Sequence, residues 1–247
     1  MEISFRELIF RAYWTALDWI YPPVCAACGA PGRRLCLDCQ SKIRFISGRM
    51  RNSSDSTVFL HPKPGIHDQA VTSTYAAVKI LAIYEGVIRE CIHALKYENN
   101  QGLGELFSSW LADLVRDEGW EIDLVMPVAL SPERVRQRGY NQSALIARPL
   151  AARLHRDYSP FGLKRIRNTP SQVGLSAQER RQNVSGAFRA VRELIYRKNL
   201  LLVDDVLTTG ATLAACTSAL NEAGAKAVYC VTVAGFPVNF PDPYSAS

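Results

Sequence analysis

Apolar positions along this chain of 247 residues fall into two kinds of run. Short unbroken apolar runs between turn residues read as strands buried on both faces. Apolar residues recurring every three or four positions read as helices with one buried side. Residues 3–20 place Ile3, Leu8, Ile9, Tyr13, Trp14, Leu17 and Ile20 near one face of a predicted helix, which Pro22-Pro23 stops. A polar, Ser/Asn-rich stretch at residues 49–65 reads as a linker. Ala70 to Ile83 alternates enough for a strand pair or a bent hairpin. Helices are predicted over Gly86–Tyr97, Leu103–Val115 and Gln142–Leu154, the last with Pro149 expected to kink or interrupt it. Ile122–Val128 reads as a short buried strand and Phe161–Ile166 as another strand. Arg167–Phe188 is Gln/Ser/Arg-rich and poorly periodic, the pattern of a mobile loop. Leu200–Val203 and Ala227–Val233 are strands on either side of a helix from Ala211 to Ala223, which Gly224 caps. Strands alternating with helices predict an α/β fold with a mostly parallel sheet flanked by helices. Ligands of such sheets bind beyond the carboxyl ends of the strands.

One strand–loop–helix passage stands apart chemically. The run Leu200-Leu201-Leu202-Val203 is read as ending at Asp204 and Asp205, and Val206, Leu207, Thr208, Thr209, Gly210, Ala211 and Thr212 lead into the helix. Backbone N–H groups at a helix start point at an anion, and the helix dipole favours one. The threonine hydroxyls add donors, and Gly210 lets the backbone come close. Adjacent carboxylates at a strand end can accept hydrogen bonds from ribose hydroxyls. The passage therefore reads as a site for a phosphorylated sugar, against the plainer reading of a βα turn with a polar cap. A nucleotide P-loop is disfavoured, because no Gly-Lys-Ser/Thr closes the loop.

Charge adds a direction. The chain carries a net +6, and Ser131 to Arg192 holds 12 Arg and Lys164 against Glu133, Asp157 and Glu179. That concentration suits a surface meeting phosphates, although a solvated arginine-rich face would look the same. Arg6, Glu7, Arg11 and Asp18 interrupt the apolar N-terminus, and no small-residue cleavage site follows. With no apolar stretch long enough to span a bilayer, a cytoplasmic protein is expected. A helix lying on a membrane surface is the alternative for residues 3–20.

Cysteine usage marks a second site. Cys25 and Cys28 form one C-x-x-C pair, and Cys36 and Cys39 form a second seven residues later. Two such pairs in a short span predict a structural zinc knuckle, and a reducing compartment disfavours the alternative of two disulfides. Gly29, Pro31 and Gly32 supply turns, and Arg33 and Arg34 can offset thiolate charge. With all four positions taken by cysteine, no coordination site is left for substrate. Cys91, Cys216 and Cys230 sit in apolar patterns and read as core.

Further segments complete a pattern: Ala94-Leu95-Lys96-Tyr97; Arg134-Val-Arg136-Gln-Arg138-Gly139-Tyr140-Asn141-Gln142; and Arg167-Asn-Thr-Pro170 continuing to Gly186-Ala-Phe188. With the cysteine knuckle and the acidic threonine loop, this set resembles the ComF family of competence-type, phosphoribosyltransferase-like proteins, over about residues 15–235. The resemblance implies a type I phosphoribosyltransferase fold at residues 66–240, joined to an N-terminal helix and zinc element at residues 1–60. It implies that Asp204 and Asp205 hold the ribose of phosphoribosyl pyrophosphate (PRPP), directly or through Mg²⁺, as the catalytic carboxylates. Thr208 to Thr212 would cradle the 5′-phosphate, Ala129-Leu130-Ser131 would form the pyrophosphate loop, and Lys96 would join the PRPP site. Arg134, Arg136, Arg138, Arg167, Arg180 and Arg181 would serve as lid, phosphate or DNA contacts. Members commonly carry His-Pro-Arg-Arg there, where this chain has Ser131-Pro132-Glu133-Arg134, one histidine and one positive charge fewer. Two functions follow from the resemblance. One is Mg²⁺-dependent phosphoribosyl transfer to an unidentified acceptor. The other is a non-catalytic binder of single-stranded DNA in the uptake machinery, using PRPP as ligand or sensor.

Overall fold

The computed structural model describes residues 23–46, 75–167 and 186–236. The predicted helix at residues 3–20, the polar stretch 49–65 and most of the 167–188 loop, including Arg180 and Arg181, lie outside the described residues. The strands are β1 (Ala77–Ile83), β2 (Leu124–Pro127), β3 (Asp157–Tyr158), β4 (Leu163–Arg165), β5 (Phe188–Ala190), β6 (Asn199–Leu207) and β7 (Ala227–Gly235). Five of them form one parallel sheet in the order β1-β7-β6-β2-β3. β4 and β5 pair antiparallel as a separate ribbon. The helices are α1 (Leu37–Gln40), α2 (Gly86–Tyr97), α3 (Leu103–Asp117), α4 (Pro132–Arg138), α5 (Gln142–Leu154), α6 (Arg192–Ile195) and α7 (Ala211–Glu222).

The unbroken apolar run in β6 follows from burial on both faces. Leu201 and Val203 pack with Ile88, Ile92, Leu95, Phe107, Leu111, Ile146 and Leu150 of α2, α3 and α5. Leu200 and Leu202 pack on the other side with Leu213, Cys216 and Leu220 of α7 and with Leu163 and Phe188 of the ribbon. Helices on both faces are what a parallel sheet requires.

Four local expectations change. First, β6 does not stop at the carboxylates: it continues to Leu207, with Asp204 opposite Thr232 and Leu207 opposite Gly235 in β7. Pairing to a long neighbour carries the ladder past polar residues that a pattern argument treats as an end. Second, α5 is unbroken across Pro149. The proline removes the hydrogen bond that Leu145 O would accept. α3 lies so close to this turn that a Cβ on Gly104 would sit 2.6 Å from Leu145 O, so packing holds the helix together. Third, of the stretch 70–83, residues 70–74 lie outside the described residues, and residues 77–83 make one strand whose ladder partner is β7. Fourth, the turn after β2 leads straight into α4. Ser131 caps it by accepting the Arg134 amide at 3.3 Å, and Pro132 occupies the first turn.

Residues 23–46 share this core. Cys25, Leu35, Cys39 and Ile43 are buried with α2 and α3 residues. Ile46 N donates to Leu81 O at 2.9 Å, Ile83 N donates to Arg44 O at 2.9 Å, and Phe45 meets Trp110 edge-on at 5.5 Å. The segment thereby covers the outer edge of β1, which would otherwise present unpaired backbone groups.

Candidate functional site

Chain topology opens a crevice beside β6. From β2 the chain moves outward to β3 through α5, while from β6 it moves the opposite way to β7 through α7. These two helices lie on opposite faces, so the loops following β2 and β6 diverge. Ala129-Leu130-Ser131 follows β2, and Thr208-Thr209-Gly210 follows β6. This is the place where open α/β sheets take ligands.

Asp204 and Asp205 lie at the floor, 8% and 4% exposed. The two carboxylates meet different side chains. Asp205 pairs with Lys96 Nζ from the last turn of α2 and accepts from Gln142 Nε2 at 3.2 Å. Asp204 Oδ1 accepts from Ser143 Oγ and from the Asp205 amide, both at 2.9 Å. Gln142 and Ser143 open α5, whose cap Asn141 accepts the Ser143 amide at 3.0 Å and donates to Val128 O at 3.0 Å. One helix start thus locks the end of β2 to both carboxylates of β6.

The two acids are driven apart electrostatically. Burial, reinforced by the charge of Asp205, pushes the Asp204 carboxyl well above the usual carboxylate range. Burial acts the same way on Asp205, but the Lys96 ammonium outweighs it, helped by Gln142, and holds Asp205 below that range. Lys96 remains cationic despite its own burial, because Asp205 faces it. The pair therefore presents one settled anion and one acid poised to lose a proton when a cation or donor arrives.

Around this floor, Val206 is half-buried, Leu207 and Ala211 are buried, and Thr212 is half-buried, while Thr208 and Thr209 are exposed. Gly210 has φ 77°, a left-handed conformation that suits glycine, and caps the N-terminus of α7. The first amides of α7 face the loop, since no earlier helical turn lies before them. In α4, Arg134 and Arg138 are half-buried and share a face, whereas Arg136 is exposed. Arg167 is exposed at the end of the β4 segment.

Sequence reasoning missed Gln142 and Ser143 as carboxylate partners, and Arg165 altogether. The Arg165 guanidinium lies 5.4 Å from the Phe188 ring. Burial, and then the neighbouring charge of Arg134, hold it below its usual range. Arg165 thus lies within electrostatic reach of both Arg134 and Asp204. The available signal for the helix start was Gly139-Tyr140-Asn141, a helix stop followed by a cap residue.

The four knuckle cysteines come together on their own. Their Sγ atoms all lie within 4.8 Å of one another, and Cys28 and Cys36 Sγ are 3.7 Å apart. A tetrahedral zinc with its usual Zn–S bonds sets sulfur atoms about 3.8 Å apart. Cys36 N donates to Cys25 Sγ at 3.5 Å and Cys39 N to Cys36 Sγ at 3.4 Å, contacts that favour thiolates. Burial opposes ionisation of Cys25, but the amides of Cys36, Ala27 and Cys28 outweigh it and bring the thiol down to about 6. The donor set and its spacing fit a closed zinc site with four cysteine ligands.

Known proteins resemble this chain in two stretches. A family model for the phosphoribosyl transferase domain matches residues 93–239, and one for the double zinc ribbon domain matches residues 16–50. DNA utilization protein YhgH of Escherichia coli (strain K12) is 34% identical over 154 residues, 60% of this chain and 67% of that protein. Competence protein F of Haemophilus influenzae is 34% identical over 145 residues, 56% of this chain and 63% of that protein. Competence protein ComFC of Bacillus subtilis is 24% identical over 217 residues, covering 80% and 82%. Among solved structures, the glutamine PRPP amidotransferase from B. subtilis superposes with a TM-score of 0.36 at 23% identity, covering 57% of this chain and 26% of that one. Among the described residues no helix is long and apolar enough to cross a membrane.

Proposed function

The chain belongs to the phosphoribosyl transferase domain family and to the ComF group within it, and from that membership we propose that it binds PRPP with Mg²⁺ in the crevice between β2 and β6. Asp204 and Asp205 take the ribose hydroxyls, directly or through the cation. The loop from Thr208 to Thr212 takes the 5′-phosphate on the amides of α7. The turn Ala129-Leu130-Ser131, with Arg134, Lys96 and the lid arginines, takes the pyrophosphate. The observation that carries this reading is the buried carboxylate pair on the strand that leads into a glycine-capped helix start, where the chain diverges after β2 and β6. A sugar phosphate supplies what that arrangement wants: hydroxyl donors at the floor and an anion at the rim.

If transfer occurs, pyrophosphate leaves from an oxocarbenium-like ribosyl centre. The arginines stabilise the departing charge, and the lid excludes water. Mg²⁺ would supply charge neutralisation of the diphosphate, held by the same two carboxylates. Its acceptor is unassigned. The names of the relatives support a role in DNA uptake or utilisation. That role fits a cytoplasmic protein of two parts, a zinc element within residues 1–60 and a phosphoribosyltransferase-like domain at residues 66–240. A second reading, a non-catalytic binder of single-stranded DNA, draws on α4. Its arginines Arg134, Arg136 and Arg138 stand beside a turn where Ser131-Pro132-Glu133 serves to start a helix.

Isothermal calorimetry on the zinc-loaded protein tests the pocket. PRPP with Mg²⁺ should bind, and Asp205→Asn should weaken binding at least tenfold, since charge-assisted hydrogen bonds contribute about 1.5–3 kcal/mol. Absence of PRPP binding overturns the pocket in both readings. Pyrophosphate release across an acceptor screen then separates transferase from binder.

A further inference from the structure

One surface feature is absorbed by none of the roles above. Tyr97 ends α2 with 66% of its surface exposed. The Arg138 guanidinium lies 5.1 Å from its ring centroid, and the His93 ring lies 4.9 Å away. Other large apolar or aromatic residues are exposed among the described residues, at Val24, Leu37, Phe161, Ile166 and Tyr196. Tyr97 differs from them in what lies behind it. Arg138 donates to Gln142 Oε1, Gln142 Nε2 donates to Asp205, and Asp205 pairs with Lys96, the residue next to Tyr97. The Tyr140 hydroxyl donates to Leu95 O at 2.6 Å and fastens the end of α4 to the end of α2. The aromatic ring is therefore held on the rim of the carboxylate crevice by a closed ring of polar contacts.

An exposed tyrosine beside an arginine has the chemistry of a base-stacking platform. The phenol ring accepts any planar base, and the guanidinium can stack or meet a backbone phosphate. Arg134, on the same face of this short helix as Arg138, and Arg136, exposed on its other side, add positive charge to that helix. Stacking inside a duplex hides the base faces that such a ring would use.

We infer that Tyr97 and Arg138 form a stacking platform for an unpaired base of a single-stranded nucleic acid, on the rim of the Asp205 crevice. This inference rests on the single-strand reading of the preceding section and assigns it a residue-level site. Occupation of Arg138 by a phosphate competes with its bond to Gln142, so the strand and the floor of the crevice share one network.

The test is fluorescence anisotropy with an oligothymidylate and an abasic oligonucleotide of equal length, beside calorimetry with PRPP. The wild-type protein should prefer the base-bearing strand roughly tenfold, within the range for one stacked base. Tyr97→Ala should remove that preference, and Tyr97→Phe should keep it. Arg136→Glu with Arg138→Glu should weaken both oligonucleotides and flatten the salt dependence. Equal wild-type affinity for the two strands, or a preference surviving in Tyr97→Ala, overturns the platform alone. Equally tight binding of a duplex also overturns it. Failure to bind either strand while PRPP still binds overturns the single-strand reading and the platform with it, and leaves the phosphosugar pocket standing.

Discussion

The cysteine knuckle and the carboxylate floor both force like charges together, and the chain relieves them by opposite means. At the knuckle, four sulfurs within 4.8 Å of one another come from one short segment, and their donor set calls for a cation from outside. At the floor of the crevice, Asp204 and Asp205 are neighbours on one strand. The relief comes from the protein itself, through Lys96 on α2 and the first residues of α5. The knuckle is a local device that stabilises residues 23–46 against the edge of β1. The floor is a tertiary device that keeps one carboxyl charged and the other near its switching point. A group held that way can respond to a ligand, whereas a closed tetrahedral site cannot.

Breaking the knuckle should have the largest effect. Zinc binding contributes on the order of 10–16 kcal/mol to folding in small zinc-finger peptides. Chelation, or Cys39→Ala, is expected to release residues 23–46, lower the melting temperature and speed hydrogen exchange at the Ile83 amide, which donates to Arg44 O. Retained protection at Ile83 would separate the knuckle from the sheet edge.

Breaking the floor should cost less and stay confined to the crevice. Lys96→Met leaves Asp205 buried without its cation, a change expected to cost about 3–5 kcal/mol. Pairing it with Asp205→Leu should recover much of that loss in denaturant titrations. A double variant no more stable than Lys96→Met would remove the ion pair from the account.

The pH dependence of stability tells the two carboxylates apart. Asp204 is held at about 8 in the folded protein by burial and by the charge of Asp205. An unfolded aspartate titrates near about 4. Between these values the native state binds the extra proton, so this group makes stability fall as pH rises from about 4 to about 8. Asp205, whose folded value is lowered despite its burial because of Lys96, acts in the other direction: its contribution is present above about 4 and is lost as pH falls through its folded value. Urea titrations across this range should show a flatter alkaline decline for Asp204→Asn than for the wild type. Identical slopes would place the raised acid elsewhere.

How much of this is legible in the sequence depends on where the partners sit in the chain. Periodicity locates α2 at Gly86–Tyr97 and α5 at Gln142–Leu154, because each carries its own buried stripe. The helical pattern over 103–115 becomes α3, two residues longer. α4 is hidden, because none of its residues is buried and no apolar period marks it. Its start signal, Ser131 followed by Pro132, is present but reads equally as a turn. The end of β6 is misplaced for a different reason: a strand ends where its neighbours stop pairing, and β7 continues to Gly235.

The amino-acid pattern alone determined the α/β class, the set of four cysteines and the acidic threonine loop, because each rests on residues close together in the chain. Only the tertiary structure decided that Lys96, Gln142 and Ser143 would meet Asp204 and Asp205, and that Tyr97 would stand beside Arg138 on the rim. The physical reason is that side-chain pairing across a parallel sheet depends on register and crossover direction. These are properties of the packed chain, and no local spacing of residues encodes them.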